Sequence, residues 1–264
     1  MADTVQHGGH RMLRISALVF AMLSLAAPAS AAEIRLLVSG ASKAMIAGLA
    51  ERFAAQTGHR FVTASDTAGA ILRRMQAGEA VDVVVVTPVV IDQLVGAGRM
   101  VAGSRRDIAR TALGVGVAES AAVPDISSVD AVKRLIAAAR GIAYSDPAAG
   151  GTSGTHFVAM VERLGLTAEL GRKAHPKRGG YAAEFVASGV ADVVFHQISE
   201  IRPVAGVRIV GPLPAEIGLV TTYSAGLSTV GAENEAARAF LAFLASAEAV
   251  PGITAVGMDP VAAR

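Results

Sequence analysis

The run VDVVVV at residues 81–86 is the strongest constraint on what this chain can become. Consecutive valines are stiff at χ1 and favour extended backbone. A strand apolar at every position, not at alternate ones, needs cover on both faces, which is the environment of a parallel sheet flanked by helices.

The neighbours of that run fit the same frame. IRLLV (34–38) leads through SGAS into the helical pattern KAMIAGLAERFAAQ, RFVTA (60–64) through SDTAG into ILRRMQAG, and VDVVVV through Thr87-Pro88 into VVIDQLVGAG. Strand and helix periods alternating in this way predict βαβ units.

A second set follows. TALGVGVA (111–118) is a strand, SSVDAVKRLIAAA (127–139) a helix capped by Ser127 or Ser128, GIAYS (141–145) a strand, and THFVAMVERLG a helix. GGYAAEFVASG (179–189) is expected to be helical, ADVVF (191–195) and VRIVG (207–211) extended, and IGLVTTYSAGL (217–227) extended. NEAARAFLAFLASAEAV (234–250) predicts one long amphipathic helix with Phe240, Leu241, Phe243 and Leu244 inward. With no low-complexity linker, two α/β lobes would be joined by ordinary strands, and 111–118 and 217–227 are the natural crossings. Lobe 1 is then expected over 32–113 and 217–264, and lobe 2 over 114–216.

The N-terminus stands apart. Arg11 and Arg14 precede the apolar run ISALVFAMLSLAA (15–27), and Pro28 is followed by Ala29-Ser30-Ala31. This is the pattern of an export signal cleaved after about Ala31, and the run falls short of the roughly 18–20 residues a spanning helix needs. HGGH (7–10) lies within that segment and is discounted as a metal site. A periplasmic, monomeric protein is expected.

Hydrophobic residues at 52% and charged residues at 17% describe a chain able to build a core. A net charge of +2 gives no support to nucleic-acid binding. RKAHPKR (172–178) is read as a solvated loop because Pro176 interrupts it. With no cysteine, stability rests on burial without disulfides.

Three polar loops sit between a strand and a helix, where parallel sheets open a crevice for ligands. They are SGAS (Ser39, Gly40, Ala41, Ser42), SDTAG (with Asp66, Thr67, Ala68, Gly69) and AAGGTSG (with Gly151, Thr152, Ser153). Gly179, Gly180 and Thr87 are weaker additions, and Gln197 is a polar group at a strand end. Helix N-termini offer unpaired N–H groups and a partial positive charge, glycine permits close backbone approach, and hydroxyls add rotating donors. Each loop taken singly is also explained as a helix cap; three of them point to a shared pocket for a small anion.

The same residues also bear on enzyme patterns. GGTSG has Thr152 where the nucleophile elbow carries serine, and neither a P-loop nor a complete G-x-G-x-x-G is present. His59, His156, His175 and His196 lack metal-ligand spacing, so no metal or other cofactor is expected. His196, beside Gln197, is the one histidine placed as a candidate base, with core packing as its other reading. An exported hydrolase or isomerase using Thr152 or Ser153 with His196 is therefore the alternative.

SGASKAM, SDTAGAILRRMQAGEAVDVVVVT, SDPAAGGTSG, VASGVADVVF and IVGPLP, in that order along the chain, resemble the type II periplasmic solute-binding proteins, most of all their molybdate-binding group. That resemblance implies an α/β fold of two lobes, each a mostly parallel sheet flanked by helices, hinged by two crossing strands. It implies a receptor that closes on a small anionic solute and delivers it to an ABC permease in the inner membrane; a sensory binding protein without a transporter is the variant of that role. In the family an oxyanion is held by serine hydroxyls and backbone N–H groups, which would fall at Ser39 or Gly40, around Thr67 to Gly69, at Thr152 or Ser153, and near Gly179. The family's tyrosine hydroxyl falls at Phe195, which has none, and an unmatched oxyanion oxygen in a dry cleft costs about 1–3 kcal/mol. Asp66 repels a dianion if it faces the cleft and is harmless if it caps the following helix. The ligand class stays open between an oxyanion such as molybdate, tungstate or sulfate and a small organic carboxylate, which His196 and Gln197 suit better.

Overall fold

A computed structural model of the chain describes residues 1–2 and 31–261; the expected export signal and the last three residues lie outside the described residues. Strand β1 (Glu33–Ser39) leads through a 3-10 turn at Gly40–Ser42 into α1 (Lys43–Thr57). Then come β2 (Arg60–Asp66), α2 (Ala68–Gln76), β3 (Val83–Val86) and α3 (Pro88–Gly96). β2, β1 and β3 are parallel neighbours. The valines behave as their pattern requires: Val83 and Val85 pack with α1 on one side, Val84 and Val86 with α2 and α3 on the other.

β4 (Arg106–Ala118) is the longest strand. It is followed by α4 (Val129–Ala138), capped by Ser128, whose side chain accepts from the Ala131 N–H, and by β5 (Ile142–Ser145), α5 (Thr152–Arg163), α6 (Thr167–Gly171) and β6 (Ala174–Lys177). Next are α7 (Glu184–Ala187), β7 (Val193–Gln197), α8 (Ile198–Ile201), β8 (Val207–Pro212) and β9 (Val220–Leu227). The chain closes with α9 (Glu235–Leu244), α10 (Val250–Ala255) and β10 (Asp259–Pro260).

The sheet runs β2-β1-β3-β9-β4-β7-β5-β6, with β8 and β10 also on β4. It is more mixed than the sequence implies, because β9 and β4 insert as antiparallel strands between the two parallel triplets. β4 pairs with β9 through Arg106–Ala112 and with β7 through Leu113–Val117, so one strand serves both halves. β9 pairs with β3 on one side and β4 on the other.

Three local expectations are corrected. RKAHPKR is not wholly a loop: Ala174–Lys177 forms the edge strand β6 beside β5, an edge being where proline is tolerated. GGYAAEFVASG is helical only at Glu184–Ala187, because Gly179 and Gly180 both have φ +65. The C-terminal helix breaks after Leu244, where the Ser246 side chain caps the Glu248 N–H, and its two pieces meet at 67°. Phe240, Leu241, Phe243 and Leu244 are all buried.

Candidate functional site

The ends of β1 and β2 are in register, Ser39 opposite Asp66, so SGAS and SDTAG emerge side by side. On the other half, β5 ends at Ser145 and the chain turns into α5. The glycines of that turn are dictated by space. A Cβ on Gly154 would lie 1.7 Å from the Ser145 carbonyl oxygen, and one on Gly151 2.6 Å from Ser145 Oγ. Ser145 Oγ accepts from the Gly154 N–H at 2.9 Å and lies 3.0 Å from Ser153 Oγ. Gly151, as N-cap, has no side chain to occupy the first N–H groups of α5, so with the Gly154 N–H taken by Ser145 those of Thr152 and Ser153 are left available to a bound group.

The two halves touch directly. The Thr67 hydroxyl donates to the Ala149 carbonyl, the Gly69 N–H donates to the Gly150 carbonyl at 3.2 Å, and a Cβ on Gly150 would meet Gly69 Cα at 2.6 Å. Behind this contact is a cleft of about 810 Å³ counted to its mouth, within the usual range of small-molecule sites.

Ser39, Gly40, Ala41, Asp66, Thr67, Ala68, Gly151, Thr152, Ser153, Gly179, Gly180 and Gln197 line that cleft. Ser42, Gly69 and Thr87 do not: Ser42 is fully buried beside Ser39 Oγ, at 3.0 Å, while Gly69 and Thr87 border a shallower depression that also touches Thr152. Thr67, not Asp66, is the cap of α2, its side chain accepting from the Ala70 N–H. Asp66 faces the cleft with its charge already engaged, Oδ1 accepting from the Thr67 N–H at 2.9 Å and Oδ2 lying 3.3 Å from Arg74. Phe195 is absent from the cleft. It is buried in the core, stacked on Phe157 at 4.5 Å.

The floor is different in kind from the walls. β7 delivers His196 and Gln197, and one turn later α8 delivers Glu200. Gln197 Nε2 donates to Thr221 Oγ1 at 2.7 Å, while its Oε1 has no partner. Neither ring nitrogen of His196 makes a hydrogen bond, although Nδ1 lies 3.3 Å from Glu200 Oε2. Burial lowers the imidazole pKa to about 3 and raises the Glu200 carboxyl to about 8. In both cases burial disfavours the charged form, so near neutral pH the neutral imidazole and the protonated carboxyl are the favoured pair. Tyr223 lines the floor from β9, its phenol pushed well above the usual range by burial.

Cations come from both sides. Lys43 lines the cleft with Nζ 5.9 Å from the Tyr181 ring centroid, and Lys177 with Nζ 3.0 Å from Glu184. Sequence reading missed Lys43, Lys177, Tyr181, Glu200 and Tyr223. The available signal was two titratable residues, His196 and Glu200, close in sequence on either side of a strand-to-helix junction. Among the described residues no cluster of His, Asp and Glu could hold a metal ion.

The comparisons with known proteins agree with this architecture. Residues 34–259 match the family model described as bacterial extracellular solute-binding protein. A protein of Pseudomonas sp. named aconitate isomerase is 32% identical over 258 residues, covering 96% of this chain and 97% of its own. The periplasmic molybdate-binding protein of Azotobacter vinelandii superposes with a TM-score of 0.70 at 24% identity, over 85% of this chain and 98% of its own. The sulfate-binding protein of Mycobacterium tuberculosis superposes with a TM-score of 0.70 at 17% identity, over 87% of each. At those identities the two solved structures speak for the type II periplasmic binding-protein fold, whereas the family match spans nearly all of the described chain. This chain belongs to the bacterial extracellular solute-binding proteins.

Proposed function

We propose that the cleft binds a small organic polyacid of the aconitate class and isomerises it by moving a proton between two of its carbons. The observation that carries this reading is the floor: a histidine without a hydrogen bond and a carboxyl 3.3 Å from it, both buried, lie at the base of a cleft with lysines at its rim. A receptor for a tetrahedral oxyanion needs neutral donors and has no use for a buried titratable pair. In aconitate a methylene lies beside both a carboxylate and a carbon–carbon double bond. Loss of a methylene proton gives an allylic anion spread over three carbons and the carboxylates, and a proton returned to the far carbon exchanges the cis and trans forms. The similarity to the Pseudomonas protein named aconitate isomerase supports the same substrate class.

Delivery of the solute to an ABC permease of the inner membrane is the second reading, favoured by membership of the solute-binding family. Both uses draw on one cleft, closing between lobes 32–113 with 217–264 and 114–216 about β4 and β9, in a monomer released to the periplasm. Incubation of the purified chain with pure trans-aconitate, and separately with pure cis-aconitate, followed by proton NMR, tests the catalytic reading. The expected result is convergence of both samples on one mixture at a rate proportional to protein. If both isomers persist unchanged, the isomerase reading fails and the receptor role alone stands.

A further inference from the structure

The geometry points to Glu200 as the residue that carries the proton, with Gly40 leaving the space its carboxyl occupies and His196 positioning it; this rests on the isomerase reading above.

Competing groups in the cleft are already engaged. Asp66 is tied to Arg74 and the Thr67 N–H, and Glu184 is paired with Lys177. Ser153 Oγ lies 3.0 Å from Ser145 Oγ, and His196 makes no hydrogen bond to any hydroxyl, so neither Ser153 nor Thr152 has a base to activate it. Among the described residues Glu200 is the cleft carboxyl with neither a hydrogen bond nor a lysine or arginine partner, and the basic atom paired with it is His196 Nδ1 at 3.3 Å.

The opposite wall is shaped around that carboxyl. A Cβ on Gly40 would stand 2.6 Å from Glu200 Oε1, so any other residue in the SGAS turn displaces it. Here α8, from one half of the sheet, meets the turn that follows β1 in the other. The absence of a side chain at residue 40 thus exchanges a ligand hydroxyl on one wall for a carboxyl reaching across from the other.

The step balances within the ligand. The Glu200 carboxylate takes a proton from the methylene, and the C–H electron pair becomes the new double bond. The electron pair of the old double bond then takes a proton from the Glu200 carboxyl, the one removed or one exchanged for it from solvent, at its far carbon. No oxidant, reductant or water is consumed. Lys43 and Lys177 offset the ligand's carboxylates, and Tyr181 and Tyr223 face Glu200 as neutral phenols. With its carboxyl raised to about 8, Glu200 becomes an effective base as pH approaches that value.

Deuterium wash-in at the methylene of trans-aconitate in D₂O, followed by NMR across pH 6–9, is the test. In wild type the rate is expected to rise with pH toward about 8. E200Q should lose about 10²–10⁴-fold in wash-in and isomerisation, the usual share of an acid–base group, while keeping its melting-temperature rise with trans-aconitate. G40S should fall in the same direction, and H196N should shift the pH profile with a smaller loss of rate. E200D, which keeps a carboxyl on a shorter stem, covers the case of an unstable E200Q and should retain the rising profile at reduced rate. Wash-in by E200Q within threefold of wild type, or by E200D with a flat profile, overturns the assignment and leaves the isomerase reading intact. A wild-type protein inert in both isomerisation and wash-in overturns the two together.

Discussion

Two adjacent residues of opposite chemistry, held uncharged by burial, set the pH behaviour of this protein. His196 titrates near 6.5 in an unfolded chain and about 3 in the folded one, so between those values the unfolded chain binds the extra proton and stability rises with pH. Glu200 titrates near 4.5 unfolded and about 8 folded, so over that range the folded chain holds the extra proton and stability falls with pH. Where the windows overlap the slopes oppose one another. Above pH 6.5 only the Glu200 slope remains. The melting temperature of the ligand-free protein should therefore decline from pH 6.5 to 8, and E200Q, which has no proton to lose, should flatten that decline. An equal decline in both proteins would mean that Glu200 is not held protonated by burial. On the proposed mechanism function and stability draw on the same proton, since the ionised carboxylate proposed as base is the form the fold disfavours.

The elements show which signals a sequence carries. The valine run and the βα alternation made most strands and several helices legible, because packing on both faces of β3 follows directly from four apolar residues in a row. SGAS, SDTAG and GGTSG were legible as strand-to-helix junctions for the same local reason, although Ala68 and Gly69 already belong to α2 and Thr152–Gly154 to α5. Glu200, Lys177 and Tyr223 were not, because they reach the cleft by tertiary placement: α8 is only four residues long, Lys177 sits in a basic run that reads as a loop, and Tyr223 lies within a crossing strand. The broken C-terminal helix was misread because Ser246 is helix-compatible in composition while its side chain caps the next turn. Thr67 does two things at once, capping α2 and donating to Ala149 on the other half. T67A should cost about 0.5–2 kcal/mol in urea denaturation, the usual loss for a cap, and should also weaken ligand binding because the cross-cleft bond is lost. A variant with full ligand affinity would show that the bond is incidental to closure.

On the scale of the whole molecule, one strand, β4, belongs to both halves of the sheet, and the polar turns of each half face one cleft across it. The proposed closure of the two halves on a solute is favoured only by a ligand that binds the closed form more tightly. On the proposed function, the floor, where His196 and Glu200 are buried together beside Gly40, is what separates a site for an organic polyacid from one for a tetrahedral oxyanion. Side-by-side calorimetric titration of the purified protein with trans-aconitate and with molybdate measures that distinction directly. The account predicts saturable heat with trans-aconitate and none with molybdate; tight molybdate binding with no response to trans-aconitate would contradict it.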